Sequence, residues 1–166
     1  WLDYAGEREG ALSLERFPLA APVRAVTGQI SETGPHYFVL DTPHVVVADL
    51  GMVRQLLANL CGNASKFSRA GVTPHITVRS TRERSGWIRV DVIDEAIGLS
   101  QGEEERIFEE YHRGTGEASR KEGYGLGLAA CRRIVERHGG LISAHTNRRG
   151  GTTVSFTLPH SAQPSA

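Results

Sequence analysis

The stretch "GYGLGLAACRRIVERHGG", residues 123–140, carries the densest structural signal in the chain. Its first three glycines alternate with other residues, and this spacing lets backbone N–H groups approach a ligand closely. Apolar residues from Leu128 to Val135 then follow helical spacing, and Gly139-Gly140 is typical of a helix C-terminus. The stretch therefore predicts a glycine loop that leads into a helix N-terminus, an arrangement suited to anions such as phosphate.

The two best-known phosphate loops do not fit this stretch. The dinucleotide fingerprint needs a glycine where the chain has Leu128, and it follows a strand, whereas the preceding "GEASRKEG" is charged and irregular. The P-loop ending Gly-Lys-Ser/Thr does not occur. Taken alone, the glycine stretch is compatible with a structural turn as well as with a ligand loop.

The composition indicates one ordinary globular domain. The chain has 166 residues, 39% hydrophobic and 23% charged, with 19 basic and 19 acidic residues. This balance of charge predicts no nucleic-acid partner and no direct membrane contact. Neither a signal peptide nor a bilayer-spanning apolar run is visible, so we expect a cytoplasmic chain. Cys61 and Cys131 lack metal-ligand neighbours and are expected to be reduced core residues.

Hydrophobic periodicity predicts an α+β fold. Alternation typical of strands occurs in "ALSLERF", "HYFVLD", "HVVVAD", "HITVRSTRERSGWIRVDVID", "LISAHT" and "TTVSFTLP". Helical spacing occurs in "PLAAPVRAVTGQI", from Asp49 to about Phe67, and after the glycines. A charged, irregular segment separates Leu99 from Glu122. We predict a mixed, mostly antiparallel sheet with helices on one face.

The helix beginning after Asp49 carries a polar stripe. Asp49 is a good N-cap, and Gln55, Asn59, Asn63 and Lys66 fall within one arc beside the apolar face. One interpretation is a solvated surface stripe. The other is a metal and phosphate site, because amide oxygens are suitable ligands for Mg2+ and Lys66 supplies charge for phosphate.

A carboxylate at a strand end forms a second candidate feature. The strand-like "VDVID" ends at Asp94, and Gly98 follows four residues later. Such a carboxylate at the rim of a sheet could accept a hydrogen bond from an exocyclic amine. It could equally end the strand in a simple turn.

Together these stretches resemble the catalytic ATP-binding domain of sensor histidine kinases, within the ATPases that include gyrase, Hsp90 and MutL. "RQLLANLCGNASKFS" resembles the asparagine box, "DEAIGL" the first glycine box, "RIFEEYHRG" the phenylalanine box and the opening stretch the second glycine box. The four occur in family order over residues 49–140, and "GTTVSFTLP" follows them. The resemblance implies a Bergerat-type fold, a two-layer α/β sandwich.

The resemblance also implies a division of the chain. Residues 1–10 would be a remnant of an upstream dimerisation helix and linker, residues 11–159 the ATPase domain, and residues 160–166 a disordered tail. The implied cofactors are ATP and Mg2+. The implied partners are a dimerisation and phosphoacceptor domain of the same protein and a response regulator, and the chain alone is expected to be monomeric.

Site residues carry over position by position. By resemblance, Asp94 binds the adenine amine, Asn63 holds Mg2+ and Lys66 touches phosphate. Phe108 anchors a lid that the glycines hinge. The residues implied to bind the nucleotide are Asn59, Asn63, Lys66, Asp94, Gly98, Phe108, His112, Arg113, Gly123, Gly125, Leu126 and Gly127, and those implied to be catalytic are Asn59, Lys66 and Arg113.

One position departs from the family pattern. The first glycine box normally reads Asp-x-Gly-x-Gly, and Ala96 occupies its first glycine position. If that residue needs a positive φ, alanine costs about 1 kcal/mol. If the backbone must touch the nucleotide, the methyl group adds a steric cost. We expect weakened, but not abolished, ATP binding.

Two functions from different classes follow. Where the hydrolysing relatives place a glutamate, this chain has Asn59, and an amide cannot act as a general base. This favours transfer of the γ-phosphoryl group to a histidine, and none of the seven histidines here has the neighbourhood of the family acceptor. The first hypothesis is therefore the catalytic domain of a protein-histidine kinase. The alternative is a degenerate module that binds nucleotide weakly and acts by docking.

Overall fold

The computed structural model describes residues 10–109 and 124–161. The predicted upstream remnant, apart from Gly10, and most of the predicted tail lie outside these ranges, as do His112, Arg113 and Gly123. Within the described ranges, no helix combines the length and the apolar character needed to cross a membrane.

Seven strands and three α-helices make up the described chain. In order they are β1 (Leu14–Pro18), α1 (Ala20–Ser31), β2 (Tyr37–Asp41), β3 (Val45–Asp49), α2 (Leu50–Lys66), β4 (His75–Arg82), β5 (Trp87–Asp94), α3 (Tyr124–Arg137), β6 (Ile142–Thr146) and β7 (Thr152–Pro159). Short 3-10 turns lie at Arg84–Gly86 and Arg106–Phe108.

The strands form two sheets. The larger has five strands in the order β2-β4-β5-β7-β6, while β1 and β3 form a separate antiparallel pair. Only the pairing of β2 with β4 is parallel, and the other three pairings of the larger sheet are antiparallel. The predicted mixed, mostly antiparallel sheet is confirmed.

Alternation along β5 separates the two faces of the larger sheet. Ile88, Val90 and Val92 are buried in the core with the apolar faces of the helices. On the opposite face Asp91 pairs with Arg79 and Arg89, each at 3.3 Å. Helices therefore cover one face, and the other carries charged side chains.

Asp49 fixes the start of α2. Its Oδ1 accepts a hydrogen bond from the Met52 N–H at 3.1 Å and its Oδ2 accepts one from the Ser13 N–H at 3.1 Å. Burial opposes ionisation, but these hydrogen bonds outweigh it and hold the pKa of the Asp49 carboxyl below its usual range. The N–H of Asp49 itself donates to Nε2 of His138 at 3.0 Å. The predicted cap is confirmed, and it also ties the start of α2 to the end of α3.

The end of α3 is closed by its two glycines. Gly139 has φ +79°, its N–H donates to the carbonyl of Glu136 at 2.9 Å, and the N–H of Gly140 donates to the carbonyl of Val135 at 3.0 Å. This is the Schellman arrangement, and it confirms the predicted C-terminus.

The start of α3 differs from the prediction. The helix begins at Tyr124, so Gly125 and Gly127 lie in its first turn and do not form a loop before it. The first N–H groups of a helix have no partner within the helix in any case. Glycine in this turn therefore keeps those donors unobstructed at the cost of some helix propensity.

The first prediction concerns Gly140, which is buried against β7. A Cβ added there would lie 2.2 Å from the carbonyl oxygen of Thr157. Because backbone cannot yield as a flexible side chain can, we expect Gly140→Ala to lower the free energy of unfolding by about 1–3 kcal/mol. Urea denaturation monitored by circular dichroism measures this change.

Gly28 provides the matched control, since it lies on the exposed side of α1 and an added Cβ meets nothing within 4 Å. Gly28→Ala is expected to raise the free energy of unfolding by about 0.5–1 kcal/mol. Equal stability of Gly140→Ala and the unmutated protein would show that β7 can move away from α3.

Candidate functional site

A small apolar cavity, here called the inner cavity, lies between α2 and the larger sheet. Its volume is about 50 Å³. Most of its wall is aliphatic or aromatic, and the polar residues that line it are Asn63 of α2, Asp94 of β5 and Thr152 of β7. The lining residues are Leu60, Asn63, Ala64, Phe67, Val92, Asp94, Ala96, Ile97, Gly98, Leu99, Ile107, Leu128, Thr152 and Val154.

The Asp94 carboxylate is held by two backbone donors. Its Oδ1 accepts hydrogen bonds from the N–H groups of Ala96, at 3.0 Å, and Thr152, at 2.8 Å. Burial raises the pKa of the Asp94 carboxyl, and these two bonds oppose the rise. Because both bonds go to Oδ1, the carboxylate has a fixed orientation and Oδ2 is the oxygen with capacity for a further donor.

The chain approaches Asp94 through positions that admit only glycine. A Cβ added at Gly151 would lie 2.2 Å from the Asp94 carbonyl oxygen, and one added at Gly98, which has φ +66°, would lie 2.3 Å from the Gly150 carbonyl oxygen. Asn147 braces the same junction, since its Nδ2 donates to the Asp94 carbonyl at 2.8 Å and its Oδ1 accepts from the Gly151 N–H at 3.2 Å. The start of β7 is thereby held against the end of β5.

The asparagine stripe of α2 faces the first turn of α3. Nδ2 of Asn59 donates to the Gly127 carbonyl at 3.5 Å. Nδ2 of Asn63 is buried and has no hydrogen-bond partner among the described residues. A Cβ at Gly127 would lie 3.9 Å from that nitrogen. A solvated surface stripe does not describe Asn63, because a buried amide without a partner is costly unless something else binds it.

Lys66 lies in the last turn of α2 and is exposed. It does not line the inner cavity, although Asn63 and Ala64 of the same helix and Phe67, just after it, do. A lysine outside an apolar cavity is suited to a charged group that extends from the cavity towards solvent.

Ala96 does not carry the backbone strain that its position could have imposed. Among the described residues other than glycine, only Ser85 has a positive φ. Alanine is therefore compatible with the backbone, and the first of the two expected costs does not arise. The second remains, because Ala96 is buried and lines the inner cavity.

The remaining predicted positions fall partly inside the described chain. Phe108 is buried in the core, and its neighbour Ile107 lines the inner cavity. Gly125 lies in the first turn of α3, and only the backbone of Leu126 is described. The predictions for His112, Arg113 and Gly123 stay predictions.

Several contributors to the site were not predicted from the sequence. Thr152 acts through its backbone N–H, which any residue except proline could supply, so the sequence carries no signal for it. Asn147 is different, because it opens the turn "NRRGG", where an asparagine often bonds to nearby backbone. That signal could have identified the brace beside Asp94.

The cysteines take no part in the site chemistry. Both Cys61 and Cys131 are buried and free, as expected. Burial raises the pKa of each thiol to about 12. Thiols with such pKa values are not nucleophiles at neutral pH.

The chain matches a known family over most of its length. A sequence profile described as "Histidine kinase-, DNA gyrase B-, and HSP90-like ATPase" matches residues 48–162. An adaptive-response sensory kinase SasA of Prochlorococcus marinus is 38% identical over 119 residues, which cover 72% of this chain and 30% of SasA. The chain thus spans about 30% of the length of that relative.

Solved structures share the fold. The catalytic domain of histidine kinase ThkA, in a nucleotide-free form, is 26% identical with a TM-score of 0.74, and the match covers 90% of this chain and 99% of that one. ThkA in complex with the response regulator protein TrrA is 25% identical with a TM-score of 0.73, covering 96% of this chain and 46% of that one. With the profile match, these likenesses show that the chain belongs to the family of histidine kinase-, DNA gyrase B- and HSP90-like ATPases, as a catalytic ATP-binding domain of the sensor histidine kinase type.

Proposed function

We propose that the chain binds Mg-ATP, with adenine in the inner cavity, and presents the γ-phosphoryl group for transfer to a histidine on a dimerisation domain of the same protein. The observation that carries this proposal is the Asp94 carboxylate. It lies in the wall of an apolar cavity with one oxygen fixed by two N–H groups. A carboxylate so oriented recognises a donor on a flat apolar ligand, which fits the exocyclic amine of adenine.

The phosphate end of the site is proposed at the junction of α2 and α3. Asn63 would hold Mg2+ through its amide oxygen, and Lys66 and N–H groups of the first turn of α3 would face the phosphates. Nδ2 of Asn63 is buried and has no partner among the described residues, so it is available to donate to a phosphate oxygen, which supports a bound phosphate at this junction. Bound Mg2+ would supply positive charge that neutralises the phosphate oxygens.

Transfer is favoured over hydrolysis by Asn59. Its Nδ2 donates to the Gly127 carbonyl, so the amide positions α3 and has no basic atom to activate water. We therefore assign Asn59, Lys66 and Arg113 to positioning and charge stabilisation of the phosphoryl group. Residues 11–159 would form this ATP-binding unit.

The proposed partners are the dimerisation and phosphoacceptor domain and a response regulator. ThkA has been solved with the response regulator protein TrrA, which supports the same class of partner here. We place the chain in the cytoplasm, where ATP is available. We also propose that the chain alone is monomeric, and a dimeric mass in light scattering at micromolar concentration would contradict this.

Calorimetric titration with a non-hydrolysable ATP analogue tests the adenine assignment through Asp94→Asn. The amide oxygen of the new side chain would take the Oδ1 position, because only an oxygen can accept from Ala96 and Thr152. Its NH2 group would then face the adenine amine, donor against donor. We expect affinity to fall by about 10- to 100-fold, from the value of a hydrogen bond to a charged group.

Glu95→Gln is the matched control for that variant. Glu95 is adjacent in sequence but exposed, pairs with Arg149 and does not line the inner cavity. Its loss of charge should leave nucleotide affinity unchanged. Equal affinities of Asp94→Asn and the unmutated protein would place the adenine elsewhere, and no binding to the unmutated protein would favour the degenerate docking module.

Asn63→Ala tests the metal assignment. Titrating the same analogue with and without Mg2+ gives the gain in affinity that the metal provides. We expect Asn63→Ala to remove most of this gain while leaving metal-free binding within about threefold, because a lost metal ligand weakens only the metal-bound state. Gln55→Ala, an exposed position on the same stripe, should retain the full gain. An unchanged gain in Asn63→Ala would contradict the assignment.

Lowering the pH should weaken nucleotide binding at Asp94 and increase the contribution of Asp94 to folding stability. Burial raises the pKa of Asp94 above its unfolded value, so folding takes up a proton and the contribution of this group to stability rises as pH falls through the raised pKa. Nucleotide needs the ionised carboxylate, so affinity falls over the same pH range. Calorimetry and thermal unfolding between about pH 4 and 7 measure both. The nucleotide also titrates in this range, so the profiles of Asp94→Asn are subtracted from those of the unmutated protein. If the remaining affinity and stability change in the same direction with pH, Asp94 is not part of the site.

A further inference from the structure

A second cavity adjoins the inner cavity on the side of Ala96. This outer cavity has a volume of about 240 Å³ and opens between the end of α2 and the start of β4. Its lining residues are Ala64, Ser68, Arg69, Val72, Thr73, Pro74, His75, Glu95, Ala96 and Arg149. Two residues, Ala64 and Ala96, line both cavities. The partition between the cavities therefore includes two alanine side chains, each 4% exposed.

Ala96 is the part of this partition that lies beside the proposed adenine contact. Its N–H donates to Oδ1 of Asp94, which fixes the alanine two residues from the carboxylate. Its neighbour Ile97 is also held, because the Ile97 N–H donates to the Phe67 carbonyl at 3.3 Å. The methyl group of Ala96 is therefore attached to a backbone that is bonded on both sides, and it cannot move aside without breaking these hydrogen bonds.

The methyl group of Ala96 limits which substituents the exocyclic amine of a bound adenine can have. An adenine with one substituent on its exocyclic nitrogen keeps one N–H for Asp94, so the hydrogen bond alone would not reject it. The added group would extend past the amine towards Ala96, which lines the inner cavity. The outer cavity has room and offers Val72 and Pro74 as apolar contacts, but Ala96 stands between the two.

We infer that Ala96 is a specificity-determining residue that restricts the site to nucleotides with an unsubstituted exocyclic amine, and that the outer cavity receives the amine's substituent when the methyl group is removed. This inference rests on the proposed binding of adenine beside Asp94. It assigns a role in ligand selection to Ala96, which occupies the first glycine position of the family motif. The sequence alone predicts only that this alanine weakens ATP binding.

Calorimetric titration with ADP and with N6-benzyl-ADP tests the inference. The unmutated protein should bind N6-benzyl-ADP at least about tenfold more weakly than ADP, the loss expected from steric conflict in an apolar pocket. In Ala96→Gly the two ligands should bind within about threefold of each other, because the benzyl group can enter the outer cavity. ADP binding by each variant reports that the site is folded.

Ala144→Gly is the matched control. Ala144 is a buried alanine of β6 that lines neither cavity, so this variant should keep the discrimination of the unmutated protein. Equal binding of both ligands by the unmutated protein would overturn the inference while leaving the proposed function intact, as would an Ala96→Gly variant that binds ADP but still rejects N6-benzyl-ADP. Absence of ADP binding by the unmutated protein would overturn the proposed function, and the inference with it.

Discussion

The fixed orientation of the Asp94 carboxylate is the constraint on which the site depends. Two N–H groups from different parts of the chain, Ala96 and Thr152, converge on one oxygen. The first comes from the turn after β5 and the second from the start of β7, so the bonds define where the turn leaves the sheet and where β7 enters it. Since the inner cavity lies between that turn and α2, the same two bonds set its position.

Close backbone approach makes this arrangement possible. Neither Gly98 nor Gly151 has space for a Cβ, because a carbonyl oxygen lies within 2.3 Å of where each would be. Gly98, at the second glycine position of the family motif, is therefore required by packing against Gly150, whereas the first position admits alanine. Alanine is tolerated at position 96 and only glycine at position 98 because different atoms surround the two backbone positions. A sequence motif that requires glycine at both positions does not express that difference.

Periodicity and capping predict the parts of the fold that depend on local sequence. The alternation in "VDVID", the apolar face of α2, its Asp49 cap and the Gly139-Gly140 terminus are each encoded within a few residues. The pairing of β1 with β3 in a separate sheet and the donation from Thr152 to Asp94 join residues far apart in the chain. Backbone donors have no side-chain signature, so the sequence identifies Asp94 as a candidate but not the groups that orient it. The early start of α3 is similarly hidden, since glycine disfavours a helix interior but is tolerated in a first turn.

Two acidic residues of β5, Asp91 and Asp94, have different surroundings, one typical of a structural ion pair and the other of a binding site. Asp91 faces the open side of the sheet, where two arginine side chains and Ser155 engage both of its oxygens, which is the pattern of a structural ion pair. Asp94, three residues later, faces the cavity and is bonded by backbone through one oxygen. Together with the amide of Asn63, which has no partner among the described residues, it leaves hydrogen-bonding capacity at both ends of an apolar cavity. Because a buried donor without a partner opposes folding, the Asn63 amide beside a carboxylate with a free acceptor position is better explained by a ligand that bonds to both than by stability.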